Sequence, residues 1–150
     1  MKKFRFKLAT VLDLRKKREE EFLRALGTAQ SAYQRELSKK QALLKNLEDS
    51  LLRRESLGNE PIDINPFRLE QDYIIGTKQR ILRADQQIVK ASRAVEKALR
   101  AYLMARRQTR AMETLYEKDF AEFKKARQKY EQKEMDDLMI MRQRMKEQFA

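Results

Sequence analysis

Two features of this 150-residue chain hold enough charge at short spacing to do chemistry. Asp136 and Asp137 are adjacent carboxylates. Such a pair can divide acid and base roles when a pocket holds the two pKa values apart. From Lys78 to Arg110, ten basic residues stand against two acidic ones, enough to grip phosphates. Neither feature reads as catalytic machinery. The acidic pair lies in a stretch with the pattern of a lone helix, which offers no pocket, so it reads as a solvated face. A DNA-reading helix joins its basic residues to a dimer zipper that forks. Here Lys78, Arg83, Lys90, Arg93 and their neighbours share a helix with the apolar seam itself. They therefore read as flanking positions of a coiled coil, and no specific nucleic-acid partner is expected.

Composition excludes most other chemistry. The chain has no His and no Cys. Thiolate and zinc sites, disulfides, Cys or His nucleophiles and imidazole acid–base chemistry are excluded with them. Three glycines, with no G-x-x-x-x-G-K or G-x-G-x-x-G, leave no phosphate-cradling loop. The chain is expected not to be an enzyme and to carry no cofactor and no metal. With 39% charged residues, 3 Gly and 2 Pro, it reads as a long helical protein rather than a many-stranded one.

The formal net charge of +12 is unevenly spread. Residues 1–20 carry +5, residues 21–76 carry −1, residues 77–110 carry +8, and residues 111–150 are neutral. Such a surface suits an acidic protein, a nucleic acid or an anionic lipid face, or is simply a solvated helix face. No stretch approaches the roughly 18 uninterrupted apolar residues of a membrane span, so no transmembrane segment is expected. Met1-Lys2-Lys3 looks like the start of a secretion signal, but Arg5 and Lys7 interrupt its apolar core. The chain reads as cytoplasmic.

One breaker region, from Gly58 to Pro66, divides two helical runs. The expectation is a single coiled-coil domain over residues 1–150, with helix one about 8–57, a loop over 58–65 and helix two about 66–149. Gly58 suits the C′ position, Asn65 an N-cap, and Pro66 the first helical position, where its missing N–H costs nothing. Ile64 and Leu69 have the spacing of a hydrophobic staple. Steps of seven from Phe67 reach Ile74, Ile81, Ile88, Val95, Tyr102, Thr109, Tyr116, Phe123 and Tyr130. The companion positions run Thr77, Ala84, Ala91, Ala98, Ala105, Met112, Asp119 and Ala126. This is an a/d seam, the signature of a coiled coil. Its small Ala face lets two helix axes approach closely. Asp119, the first charged d residue, marks a candidate end of the partner helix.

In the first run Phe22, Leu26, Ala29 and Tyr33 lead to Leu37, Leu44 and Leu51, with Leu47 between. The step of four from Tyr33 to Leu37 predicts a stutter. A loop centred near residue 62 makes the helices antiparallel, with residue i facing roughly residue 123 − i. The fold class expected is thus all-α, a long two-helix antiparallel coiled-coil hairpin with a C-terminal helical overhang of about thirty residues. At ~1.5 Å per residue the helices are ~75 and ~125 Å long. The overhang is also a place where a second copy could pair, through Phe123 and Tyr130.

A second stripe, Ile75, Leu82 and Val89, lies at the b position, roughly 130° from the seam. Its regular spacing predicts a docking face for another protein, with Leu43 and Leu52 as possible borders. Scattered surface apolar residues are the alternative.

Three stretches resemble the flagellar FliJ family. Phe4-Arg5-Phe6-Lys7-Leu8-Ala9-Thr10-Val11-Leu12-Asp13-Leu14-Arg15, followed by Glu19-Glu20-Glu21, is similar to its F-x-L-x-x-[VL]-L-x-x-R…E opening. Val95-Glu96-Lys97-Ala98-Leu99-Arg100-Ala101-Tyr102, with Leu115 after it, resembles its V-x-x-A-x-x-x-[WY] segment. Glu131-Gln132-Lys133-Glu134-Met135-Asp136-Asp137-Leu138 resembles its E-Q-K-x-x-D-E ending, with Asp137 in place of the usual Glu.

The resemblance implies a non-enzymatic component of the flagellar type III export apparatus, cytoplasmic and peripherally associated with the membrane. It implies a stalk-like antiparallel coiled coil whose terminal helices enter the hexameric export ATPase. It further implies contact with the cytoplasmic domain of the export gate membrane protein and escort of export chaperones. Carried over by motif, Phe4, Leu8, Leu12, Arg15, Gln132, Met135, Asp136 and Leu138 belong to the ATPase end. The stripe of Ile75, Leu82 and Val89 becomes the gate face on its position alone. A generic structural coiled coil, or a basic hairpin binding nucleic acid nonspecifically, is the alternative.

Overall fold

The structure is a computed structural model that describes residues 2–58 and 64–149. It contains two α-helices, α1 (Ala9–Gly58) and α2 (Ile64–Phe149), and no strand among the described residues. The helices pack against each other as an antiparallel hairpin. Each lies within two residues of its expected bounds. The expected loop centre near Ile62 falls outside the described residues.

The ends differ in detail from expectation. Helix α2 starts at Ile64, so Asn65 and Pro66 lie inside its first turn and Asn65 is not the N-cap. Pro66 is still tolerated there, because first-turn N–H groups have no intrahelical acceptor. Gly58 is the last residue of α1 rather than a left-handed C′ residue, and no described glycine has positive φ. Ile64 and Leu69 are both exposed, so no staple forms.

The packing divides into two compact units, Glu20–Leu103 and the pair of segments Met1–Glu19 and Met104–Ala150. In the first unit the register is fixed by cross-helix polar pairs. Lys40 Nζ lies 2.6 Å from Asp85 Oδ1, Arg53 Nε 2.8 Å from Glu70 Oε1, and Arg54 Nη1 donates to Gln71 Oε1 at 2.9 Å. Each pair of numbers sums to 123 or 125, so the helices run in opposite directions in the expected register. The tightest layer is built on small residues. Ser50 and Thr77 are wholly buried and Ile74 is 1% exposed. Burying hydroxyls is tolerated because they are bonded. Thr77 donates to the Tyr73 carbonyl at 2.7 Å, and Ser50 accepts from Arg53 at 3.0 Å.

On α2 every seam position of this unit from Ile74 to Tyr102 is buried or half-buried, including Ile81, Ile88 and Val95. Phe67, the first in the series, is 39% exposed. On α1 the stutter is absent. The inward positions are Leu26, Ala29, Tyr33, Glu36, Lys40, Leu43, Leu47, Ser50 and Arg54, in strict steps of three and four. Leu44 is 44% exposed and does not belong to the seam, whereas Leu51 is half-buried beside it. The heptad runs on through charged residues. The apolar spacing that signalled a slip belongs to a flanking row. Lys40 tolerates its inward place because Asp85 meets its charge and its stem packs along the apolar seam.

In the second unit the pairing continues before α1 begins. Ala9 N–H donates to the Phe6 carbonyl at 3.2 Å, turning the chain into the helix. The preceding segment lays Phe6 and Phe4 onto α2. The Phe6 ring lies 5.3 Å from Tyr116, and Phe4 lies 5.5, 5.2 and 5.4 Å from Tyr116, Phe120 and Phe123. Most of these contacts are edge-to-face or tilted, the favoured geometry for aromatic pairs. Leu12, Ala105 and Thr109 are buried in the same unit. Contacts pass Asp119 through the pre-helical Phe4, which reaches Phe120 and Phe123, although the partner helix itself begins only at Ala9. Beyond Phe123 every described residue, Lys124 to Phe149, is exposed, including Tyr130.

Candidate interaction surfaces

No enclosed chemical centre is present among the described residues. No group of three or more Asp or Glu converges as a metal site there, and Asp136 and Asp137 lie exposed on bare helix. No described helix is long and apolar enough to cross a membrane. What the fold presents is surface, and three areas stand out.

The first contains the residues carried over to the ATPase end, all within the terminal unit. They divide into two groups. Leu12 is buried, Phe4 is half-buried in the aromatic cluster, and the Arg15 guanidinium donates to Gln108 Oε1. These three hold α1 on α2. Leu8, Gln132, Met135, Asp136 and Leu138 are exposed. Lys2, Lys3, Phe4, Phe120, Phe123, Arg127, Tyr130, Glu131 and Glu134 line one open cleft, so the pre-helical segment borders the first turns of bare helix. Lys124 Nζ sits 4.7 Å above the Phe120 ring, placing a cation on this cluster. The hydrogen bond and negative charge of Glu134 raise the pKa of the Tyr130 hydroxyl above the usual phenol value.

The second area is the b stripe in the other unit. Ile75, Leu82 and Val89 are 49%, 64% and 49% exposed. Of the possible borders, Leu52 is exposed, but Leu43 is half-buried in the seam and does not reach this face. Immediately after the stripe, the solvent side of α2 carries Lys90, Arg93, Lys97 and Arg100, all exposed. The mid-chain positive charge is thus solvated backing of the coiled coil.

The third area went unread in the sequence. On the bare end of α2, Met139, Ile140, Met141, Met145 and Phe149 are exposed along with Met135 and Leu138. The signal lay in the apolar spacing, which restarts one to two residues out of frame from the hairpin seam. Phe120 was also missed. It stands one position after the d residue Asp119 and joins the core only because Phe4 lies against it.

The described residues thus form an antiparallel two-helix coiled coil with bare helix beyond an aromatic clasp. Comparison with protein families makes this specific. The profile of the flagellar FliJ protein family matches residues 4–148, nearly the whole chain. The chain belongs to that family and is a component of the flagellar export apparatus, in a family of structural rather than known enzymatic proteins. Searches of curated proteins and of solved structures find no match to it.

Proposed function

We propose that the chain is the stalk-like coiled coil of the export apparatus, binding the hexameric export ATPase through its terminal unit. The observation that carries this reading is the uncovered α2 segment after Phe123, which presents Gln132, Met135, Asp136 and Leu138 to its surroundings. A helix with one bare, charged flank can enter a ring pore without unfolding anything. Leu8, just before α1, extends the contact. Leu12, Arg15 and Phe4 act indirectly, by fixing the clasp that aims the bare helix.

The Ile75, Leu82 and Val89 stripe serves as the face for the cytoplasmic domain of the export gate membrane protein. Exposed apolar residues at sevenfold spacing support this, because they lie in a unit whose seam is already filled. Export chaperones are further partners by family. The protein works in the cytoplasm, peripherally associated with the membrane apparatus. Contacts made by charged, exposed side chains are screened, so added salt weakens the ATPase interaction.

The test is to add the chain to its cognate export ATPase and follow turnover and ring formation. Stimulation of both is expected. Unchanged turnover and unchanged assembly would overturn the ATPase assignment and leave a generic coiled coil.

A further inference from the structure

The bare segment of α2 carries an apolar frame of its own. Continued by sevens, the hairpin seam would meet Lys133, Asp137, Ile140, Arg144 and Glu147, four of the five charged, so that frame has ended. One to two residues later a new one begins: Met135, Leu138, Arg142, Met145 and Phe149, in steps of three and four. Met139 and Met141 flank it. All of these residues are exposed, and nothing in the hairpin covers them. An amphipathic helix with this frame is built to pair with another helix.

The charges along the segment select the occupant. Residues 131–137 carry four carboxylates and one lysine, a net −3. Residues 142–146 carry Arg142, Arg144 and Lys146 and no acid, a net +3. We propose that this segment pairs with the same segment of a second copy of the chain, in antiparallel orientation about a centre near Ile140. That arrangement lays each acidic run on the basic run of the other copy. Met135 then layers on Met145 of the second copy, and Leu138 packs under the stem of its Arg142, whose guanidinium extends toward the carboxylates. A parallel in-register pair would set −3 on −3 and +3 on +3, which is unfavourable. Methionines adapt to either neighbour, so the pairing is reversible.

The pairing buries Met135 and Leu138, which the proposed ATPase contact also uses. A self-paired chain therefore withholds that surface, and self-association and ATPase binding compete. The self-pairing argument itself does not require the ATPase reading, and it is tested on the full-length chain alone.

Sedimentation equilibrium is run on the wild type and two charge variants. One is Arg142→Glu with Arg144→Glu and Lys146→Glu. The other is Glu131→Lys with Glu134→Lys, Asp136→Lys and Asp137→Lys. The wild type is expected to dimerise, each variant alone to dimerise about tenfold more weakly or worse, and their mixture to recover heterodimers. The thermal melt of the hairpin serves as the folding control: every substituted residue is exposed, and only Glu131 and Glu134 border the cleft of the Phe4 clasp. Orientation is read by cross-linking in this cysteine-free chain. Gln132→Cys should form a disulfide with Lys146→Cys of a second copy and not with itself. A wild type that stays monomeric, charge variants that dimerise as the wild type does, or Gln132→Cys joining to itself would each overturn the proposal.

Discussion

The Thr109 hydroxyl stands 3.2 Å from the backbone carbonyl of Arg15 on the opposing helix and 3.1 Å from that of Ala105 on its own. One proton is shared between two acceptors, at a seam position that is 3% exposed. Thr109 is the single residue in the sevenfold series from Phe67 to Tyr130 that is neither apolar nor aromatic. Its polarity is satisfied across the helix pair, so the seam passes through it unbroken. It completes the register two turns into α1.

Replacing Thr109 with Val keeps the volume and removes the donor. Both carbonyls still accept helical N–H groups, so no buried group is orphaned. The expected loss is about 1 kcal/mol in thermal or denaturant unfolding. A loss several times larger would mean that the hydroxyl holds the register rather than completing it.

The continuous heptad of α1 makes a sharp distinction between adjacent leucines. Leu43→Ala should cost about 2 kcal/mol, because a half-buried seam side chain leaves a gap against α2. Leu44→Ala should cost about 0.5 kcal/mol or less, as for other exposed positions. Equal losses at the two sites in denaturant unfolding would restore the stutter.

This pair of residues also shows where the sequence was legible and where it was not. The α2 seam could be read directly, because Ile, Val, Tyr and Ala repeat at spacings of three and four with one hydroxyl among them. On α1 the seam runs through Glu36, Lys40, Ser50 and Arg54, and hydropathy cannot see a lysine that faces inward to meet Asp85. Spacing instead picked out Leu37 and Leu44, which flank the true row. The antiparallel register was legible because one breaker region fixes it. The clasp of Phe4 and Phe6 was not, since an extended segment carries no period. On the candidate surfaces, the b stripe could be read from its spacing. The resemblance brought Phe4, Leu12 and Arg15 together with Met135 and Leu138 as one group. Burial divides that group into residues that hold the hairpin and residues free to touch a partner.

The clasp is testable by itself. Phe4→Ala removes a ring that touches three others, and a half-buried ring should cost about 2 kcal/mol. The loss should be local. Hydrogen exchange should quicken in the first turn of α1 and around Tyr116 to Phe123, while protection around Ile74 and Thr77 stays unchanged. Uniform loss of protection along both helices would show that the aromatic cluster is not a separate clasp.

The central claim is that the exposed part of the terminal unit, rather than the apolar stripe, engages the export ATPase. Binding of the purified ATPase to Leu138→Glu and to Leu82→Glu tests it most directly. Both side chains are exposed, so neither substitution disturbs the seam. The account predicts that Leu138→Glu weakens binding about tenfold or more and Leu82→Glu leaves it at the wild-type value. The reverse pattern, or equal binding by both variants, would contradict it.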